Sequence, residues 1–339
     1  MSGKHGKFKR RDIRELIQGE YGLKIYNMHE GDKGVLVYTD CGDKFFKKIK
    51  KDESQILFIA SAYNHVKDRG FENVSAMCKT KDGRYYSRYD GSLYILEDSM
   101  RGKYFSINSE EDGRKIGEEM ARFHAAADRF IPAPGSRAKV DWGRWIDKLK
   151  VQCVRLNKFK EIAEAKSIKT RFDKMFLKHA DEYCQKSEEA YRILRNNGYM
   201  AKVYKSMQTN QLCHKTFKKH SIFTVDNGDI FLTGMENCSY DIIETDLVSL
   251  FESCIGSRGL PYLESVISGY SCIRPLDTDS MNIIKALLLQ PGRFYKVANV
   301  YYGKRKNYNE YELTKKLERS IRKEGRRYEI VKKLGEVME

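Results

Sequence analysis

Strand-forming and helix-forming patterns are divided unevenly along this chain of 339 residues. Residues 23–96 contain six short stretches typical of strands and one helical stretch, whereas nearly everything after residue 109 has helical periodicity. This division predicts an α+β protein, in which a small antiparallel sheet with one helix precedes a large and mostly helical part. We expect a flexible basic tail over residues 1–11, an N-terminal lobe over 12–98 and a helical C-terminal lobe over 99–339.

The predicted elements of the first lobe are strands at 23–28, 35–39, 45–49, 74–79, 85–89 and 93–96, with a short helix at 12–18 and a longer one at 52–69. A turn at 81–84 would join the fourth and fifth strands as a hairpin. In the second lobe, apolar spacing predicts two buried helix faces, formed by Ile116, Met120, Phe123 and His124 and by Phe176, Ala180, Tyr183, Ser187 and Ala190. A strand pair is predicted within 222–233, and the last third is predicted as helices at 245–253, 260–270, 278–288, 295–302 and from 311 onward.

The charge is strongly positive, because 63 Lys and Arg outnumber 47 Asp and Glu and leave a net charge of +16. Such a balance favours acidic partners, either proteins or polymers, although a solvated basic surface explains it equally well. The basic residues concentrate at 4–11, 44–51 and 315–327. The basic N-terminus leaves nucleic acid as a third class of partner, but no nucleic-acid-binding motif is recognisable and we do not expect one.

The pattern of apolar residues predicts where the protein is made. No stretch of about 18 apolar residues occurs, so no membrane span is predicted. The basic N-terminus is not followed by an apolar stretch, so we expect synthesis in the cytoplasm without a signal peptide. Eight cysteines are scattered singly, which favours reduced thiols over a disulfide framework.

Three stretches carry a resemblance to a known family. They are FFKKI at 45–49 with the helix that follows it, MARFHAAA at 120–127 with WGRW at 142–145, and LCHKTFKKHSI at 212–222. Together with QPGRF at 290–294, their order and spacing resemble the CotS-type spore coat proteins of endospore-forming bacteria. That resemblance implies the bilobal, protein kinase-like fold of the aminoglycoside phosphotransferase and choline kinase group. It extends over nearly the whole chain.

The same resemblance implies where phosphoryl-transfer residues would stand. Kinases of this fold use a strand lysine for the nucleotide phosphates, a loop Asp for the acceptor proton, and an Asn and a later Asp for magnesium. On that pattern His214 matches the loop histidine, but Thr216 occupies the position of the catalytic Asp. Ser221 occupies the position of the Asn, and Gly234 that of the metal-binding Asp.

Two residues remain candidates for ligand contact. Lys47 stands at the position of the strand lysine, with Lys48 as the alternative if the register differs by one residue. A solvated basic strand explains both lysines equally well, since Lys44, Lys50 and Lys51 are close by. Glu236 lies two residues after Gly234, where a second acidic residue is often found in the family, and it could ligate a metal if the alignment shifted.

These replacements predict a degenerate phosphotransferase. A threonine cannot act as a carboxylate base near neutral pH, and loss of general-base help alone lowers a rate by about 10²–10⁴. We therefore expect a pseudokinase that is a structural or scaffold component of the spore coat, with no cofactor and no bound metal. Other coat proteins or acidic polymers would be its partners. The alternative is a divergent but active ATP-dependent phosphotransferase acting on a small molecule or sugar.

Overall fold

The computed structural model describes residues 10–31, 33–254, 262–303 and 308–338. Residues 1–9 of the predicted tail lie outside the described residues, and its last two residues, Arg10 and Arg11, already belong to the first helix. The elements of the first lobe are α1 (Arg10–Leu16), β1 (Ile25–Gly31), β2 (Gly34–Thr39), β3 (Gly42–Ile49), α2 (Glu53–Asp68), β4 (Ser87–Tyr89) and β5 (Ser92–Asp98). A single turn of π-helix (Ile17–Tyr21) extends α1.

The strands of this lobe form one antiparallel sheet in the order β1-β2-β3-β5-β4. Helix α2 begins with a capping box, in which the Asp52 side chain accepts from the Gln55 backbone and Gln55 reaches back to Asp52. Its apolar face is buried, including Ile56, Ile59 and Tyr63. The expected sheet with one helix between its third and fourth strands is therefore confirmed, although with five strands.

The predicted strand at 74–79 and the hairpin at 81–84 are wrong. Val74 makes an isolated bridge to Leu232, whereas Met77 makes one to Glu97, so this segment divides its backbone hydrogen bonds between two sheets. The hairpin lies instead between β4 and β5, where Asp90 and Gly91 have φ of 44° and 66°. Two successive residues with positive φ are typical of a type I′ turn, which fits the twist of paired strands.

The second lobe is mostly helical, as predicted. Its elements are β6 (Gly102–Tyr104), α3 (Glu110–Ala126), α4 (Arg144–Glu164), α5 (Arg171–Asn196), α6 (Tyr199–Gln208), β7 (Leu212–Cys213), β8 (Ile222–Val225), β9 (Ile230–Leu232), β10 (Ser239–Tyr240), α7 (Glu244–Cys254), α8 (Leu263–Ser271), α9 (Thr278–Leu289), α10 (Gly292–Tyr301) and α11 (Glu310–Met338). Both predicted helix faces, on α3 and on α5, are buried. The predicted start of α8 at residue 260 lies outside the described residues.

Short strands of the helical lobe lead into the loop after β7 and the turn after β9. Strands β6, β8 and β9 form an antiparallel sheet, and β7 pairs with β10. Leu232 of β9 also exchanges backbone hydrogen bonds with Asn73 and Ser75 of the first lobe. The loop after β7 and the turn after β9 are thereby held next to the N-terminal sheet. In the described part of the chain, no helix has both the length and the apolarity needed to span a bilayer.

Helices α3 and α8 pack closely because glycines line their contact. A Cβ at Gly117 would lie against the Val266 carbonyl oxygen and 2.8 Å from the Tyr270 nitrogen, and a Cβ at Gly269 would meet the backbone of Arg114. Backbone atoms cannot swing aside as a long side chain can. These positions therefore set how near the two helix axes approach.

We predict that Gly117→Ala lowers the free energy of unfolding by about 1–3 kcal/mol, because the added methyl forces the two helices apart. Alanine is intrinsically the better helix former by about 1 kcal/mol, so the sign of the change identifies the packing effect. Gly325→Ala on α11 is the matched control, since a Cβ there meets nothing within 4 Å. Urea denaturation should show the control unchanged or more stable. Equal effects of both substitutions would contradict the packing argument.

Candidate active-site cleft

The loop after β7 is anchored by a buried carboxylate. Asp246, in the first turn of α7, accepts hydrogen bonds from the backbone nitrogens of His214 and Lys215, both at 2.7 Å. Its Oδ2 also lies 3.2 Å from Nε2 of His124, whose Nδ1 is 2.8 Å from the Tyr270 hydroxyl. Burial would raise the pKa of Asp246, but His124, His214 and Lys215 outweigh it and hold that pKa below its usual value.

His214 is fully buried and faces into the loop. Its Nδ1 accepts from the Thr216 backbone nitrogen at 3.2 Å, and its ring lies between Phe123 and Phe217. Burial lowers the pKa of His214 to about 4, against the opposing charge of Asp246. The imidazole is therefore neutral near pH 7, and its contacts hold the shape of the loop.

Lys215 has the left-handed backbone conformation, with φ of +64°. This conformation costs a non-glycine residue roughly 1 kcal/mol or more and persists where surrounding contacts hold it. Here the backbone is held by Asp246, and the side chain is held by its Nζ, which lies 2.6 Å from Asp241 and 3.3 Å from the Thr245 hydroxyl. Asp241 is fully buried, so its pairing with Lys215 fixes the loop to the start of α7.

The side chains of Thr216 and Ser221 are both uncharged, and the Ser221 hydroxyl is bonded within the loop itself. The Ser221 hydroxyl contacts the carbonyl oxygens of Thr216 and Lys218, and it accepts from the Lys218 nitrogen at 3.2 Å. The Thr216 hydroxyl is buried and has no hydrogen-bond partner among the described residues. Neither side chain carries a charge. This loop therefore offers no carboxylate toward the cleft.

Gly234 lies beside Ser221, at the end of β9. A Cβ at Gly234 would be 3.6 Å from both Ser221 Cβ and Glu236 Oε2, which brings three of the residues singled out from sequence to one point. Gly234 has φ of +83°, and the next residue, Met235, donates its backbone N–H to the Tyr63 hydroxyl at 3.1 Å. The turn after β9 is thereby fixed against α2 of the first lobe.

Lys47 and two carboxylates form an ion cluster between the lobes. The Lys47 ammonium contacts Glu97 of β5 and Glu236 of the turn after β9. Burial raises the pKa of Glu97 to about 7, with Lys47 opposing the shift. Burial also acts to raise the pKa of Glu236, but Lys47 outweighs it and holds that pKa below its usual value. This Glu97–Lys47–Glu236 cluster spans the position where the resemblance expects a phosphate contact.

Sequence reasoning identified some members of the cleft and missed others. Of the two lysines left open, Lys47 enters the cluster and Lys48 is exposed. Glu97 was missed because the sixth predicted strand was ended at residue 96, whereas the strand extends to Asp98. The β3–β5 register pairs Phe45 with Glu97, which brings Glu97 to the same face as Lys47 by two-residue alternation. Asp246 was missed as an anchor, since an Asp in the first turn of a helix is common for other reasons.

The comparisons with known proteins agree with the architecture. Residues 14–334 match the family described as spore coat putative kinase YutH. The chain belongs to this family. Spore coat protein S of Bacillus subtilis is 24% identical over 273 residues, which cover 80% of this chain and 77% of that protein.

Two solved structures share the fold of this YutH-family chain. An aminoglycoside phosphotransferase from Alicyclobacillus acidocaldarius superposes with a TM-score of 0.81 at 15% identity, over 98% of both chains. The choline kinase LicA from Streptococcus pneumoniae superposes with a TM-score of 0.50 at 14% identity, over 93% of this chain and 98% of that one. The kinase-like fold expected from the sequence is confirmed, as is the resemblance to CotS-type coat proteins.

The carboxylates of the cleft in this YutH-family protein are its candidate ligands for a divalent cation. Magnesium is bound in proteins by oxygen ligands, mostly carboxylates, in octahedral geometry. No group of three or more His, Cys, Asp or Glu side chains suited to a metal ion occurs within the described residues. The two carboxylates nearest the predicted metal position, Glu97 and Glu236, both contact Lys47. A cation there would have to compete with the lysine.

We predict that Asp246→Asn destabilises the fold by about 3–5 kcal/mol, because an amide cannot accept from two backbone N–H groups and His124 at once. The matched control is Asp68→Asn, at an exposed position at the end of α2, which should change stability by no more than about 0.5 kcal/mol. Chemical denaturation measures both. A change of less than 1 kcal/mol for Asp246→Asn would contradict the anchoring role.

We predict a pH-dependent difference between the native protein and Glu97→Gln. The folded-state pKa of Glu97 is raised to about 7, so the folded protein binds a proton there more tightly than the unfolded chain. The raised pKa of Glu97 therefore contributes to the free energy of unfolding at low pH. This contribution, on the order of 3 kcal/mol in total, is lost as pH rises through 7. Denaturation at pH 5 and pH 8 should show Glu97→Gln gaining stability relative to native as pH rises. Glu329→Gln on the exposed face of α11 should show no such trend.

Proposed function

We propose that this YutH-family protein is a pseudokinase of the spore coat, where it acts as a scaffold. The observation that carries the proposal is the state of the cleft. Thr216, Ser221 and Gly234 stand at the three positions where phosphotransferases of this fold have an Asp, an Asn and an Asp, and none of them supplies a carboxylate. Phosphoryl transfer depends mainly on positioning and on neutralising charge with metal ions. A cleft without those groups lacks both the base and the metal ligands.

The pairing of Lys47 supports the same proposal. Its ammonium contacts Glu97 and Glu236, so with both carboxylates ionised the cluster carries a net charge of −1. A phosphate about 4 Å from an uncompensated negative charge is opposed by about 4 kcal/mol at the effective dielectric of a partly exposed site. A nucleotide would have to displace one carboxylate before it reached the lysine.

A scaffold role accords with the family and with the charge. The relative named spore coat protein S supports a location in the coat. A net charge of +16 favours acidic proteins or polymers as the components bound there. The bilobal fold would then supply a rigid surface for assembly, while its cleft is closed by internal ion pairs.

A second candidate is an active but divergent phosphotransferase, and Glu236 is the residue that favours it. Glu236 lies next to Gly234 and Lys47, so after release from the lysine its carboxylate could ligate a metal close to the expected position. This candidate still lacks a base at Thr216. It would have to rely on a substrate hydroxyl that loses its proton without help from the protein.

Calorimetric titration with ATP, with and without Mg²⁺, separates the two candidates. We predict that Mg²⁺ does not tighten ATP binding to the native protein, because Glu97 and Glu236, the carboxylates nearest the expected metal position, both contact Lys47. The variant Thr216→Asp/Ser221→Asn/Gly234→Asp should acquire Mg²⁺-dependent binding. The new Asp at 234 has room, since its Cβ would make only ordinary contacts of 3.6 Å, and Asp tolerates positive φ better than most residues.

A different set of results would favour the active phosphotransferase. Micromolar, Mg²⁺-dependent ATP binding by the native protein, together with phosphate transfer that disappears in Glu236→Gln, would establish the active enzyme and overturn the pseudokinase proposal. Glu329→Gln serves again as the exposed control and should leave any binding unchanged. Circular dichroism confirms that each variant is folded before it is titrated.

A further inference from the structure

A basic groove lies between the N-terminal part of α5 and the middle of α11, away from the residues that form the cleft. Arg171, Lys174 and Lys178 of α5 and Arg322 of α11 line a cavity of about 450 Å³, together with Glu318. The same cavity has apolar walls from Met175 and Ile321. We call these residues the basic groove.

The four cations of the basic groove are not used in ion pairs among the described residues. Within the described residues, no ion pair involves Arg171, Lys174, Lys178 or Arg322. Elsewhere on α5 a lysine does pair with a nearby acid, since Nζ of Lys186 lies 2.5 Å from Oε1 of Glu182. Burial also lowers the pKa of His179, which lines the groove and is therefore neutral near pH 7. The groove thus carries four positive charges against the one negative charge of Glu318.

The spacing of the cations is regular. Arg171, Lys174 and Lys178 stand at positions i, i+3 and i+7 of α5, so they lie on one face of the helix and extend over about 10 Å at 1.5 Å per residue. A second helix with carboxylates at the same spacing would place each acid opposite a cation. Apolar residues between those acids would contact Met175 and Ile321, which are both half-buried. Just ahead of α5, Ile168 is 85% exposed and adds apolar surface.

We propose that the basic groove binds an acidic amphipathic helix of a partner protein. The proposal rests on the scaffold part of the proposed function and is independent of whether the cleft transfers phosphate. A protein helix fits better than a nucleic acid because Glu318 lies among the cations. A continuous chain of phosphates would have to pass that carboxylate, whereas a helix can place a small or basic residue opposite it.

Binding of a defined peptide to the whole protein tests this assignment. The probe is a fluorescent helical peptide with Glu at i, i+3 and i+7 and Leu on the adjoining face, and its Glu→Gln version is the peptide control. Fluorescence anisotropy should show binding of the Glu peptide that weakens about tenfold or more between 50 and 300 mM salt, as exposed ion pairs are screened. The Gln peptide should bind at least about tenfold more weakly at low salt.

A pair of charge-matched variants locates the site. Arg171→Glu/Lys174→Glu/Lys178→Glu should weaken peptide binding by at least about tenfold. The control Lys150→Glu/Arg192→Glu/Arg195→Glu removes the same charge from exposed positions of α4 and α5, and it should bind within about twofold of native. Arg192 lies about 21 Å along the helix from Lys178. The neutral variant Arg171→Gln/Lys174→Gln/Lys178→Gln gives an intermediate affinity, and thermal melting checks that all of them fold.

Three results would overturn the proposal. If the native protein shows no salt-sensitive binding of the Glu peptide, the proposal is wrong. If the groove variant and its charge-matched control weaken peptide binding equally, the binding reflects overall charge and not the groove. Tighter binding of a single-stranded DNA oligonucleotide than of the peptide, lost in the groove variant, would assign the groove to nucleic acid. The ATP titration of the same samples is a separate readout, so failure of the groove and failure of the pseudokinase proposal are distinguishable.

Discussion

A buried carboxylate without hydrogen-bond partners costs several kcal/mol, and the architecture of the helical lobe follows from how Asp246 avoids that cost. Its oxygens are satisfied by two successive backbone N–H groups of the loop after β7 and by His124 of α3. Three separate segments of the chain are therefore held at one point. The shape of the loop is a consequence of this anchor, and it does not depend on which side chain stands at Thr216.

This independence means that the loop conformation does not require a carboxylate at position 216. The loop conformation is set by Asp246 and by the pairing of Lys215 with Asp241. A change of side chain at position 216 would therefore leave these anchoring contacts in place. Gly234 likewise has a defined backbone conformation, with φ of +83°, and carries no side chain.

The sequence predicted the architecture well because the relevant patterns are local. Helical periodicity located the buried faces of α3 and α5, and two-residue alternation located β2 and β3. The segment at 74–79 was predicted wrongly because its residues bridge to two different sheets. The sequence of the segment does not indicate that it has two partners. Asp90 and Gly91, by contrast, carry a clear turn pattern that was overlooked in favour of the turn at 81–84.

The cleft was harder to predict, since its contacts are long-range. Glu53, in the first turn of the helix that follows β3, pairs with the exposed Arg88 and not with Lys47. The actual partners stand 50 and 189 residues away along the chain, at Glu97 and Glu236. Only the sheet register and the turn after β9 bring them together, and neither can be read from spacing alone.

A half-buried lysine between two lobes must be neutralised by something. In a phosphotransferase the nucleotide and its metal ions can supply the negative charge, so the lobes are drawn together when the ligand binds. Here the carboxylates belong to the chain itself, one from each side of the cleft, so the attraction between the lobes is present without a ligand. Proton uptake by Glu97 below pH 7 relieves the excess negative charge and leaves the Lys47–Glu236 pair balanced. The relative position of the lobes is thus coupled to internal ion pairs of the chain.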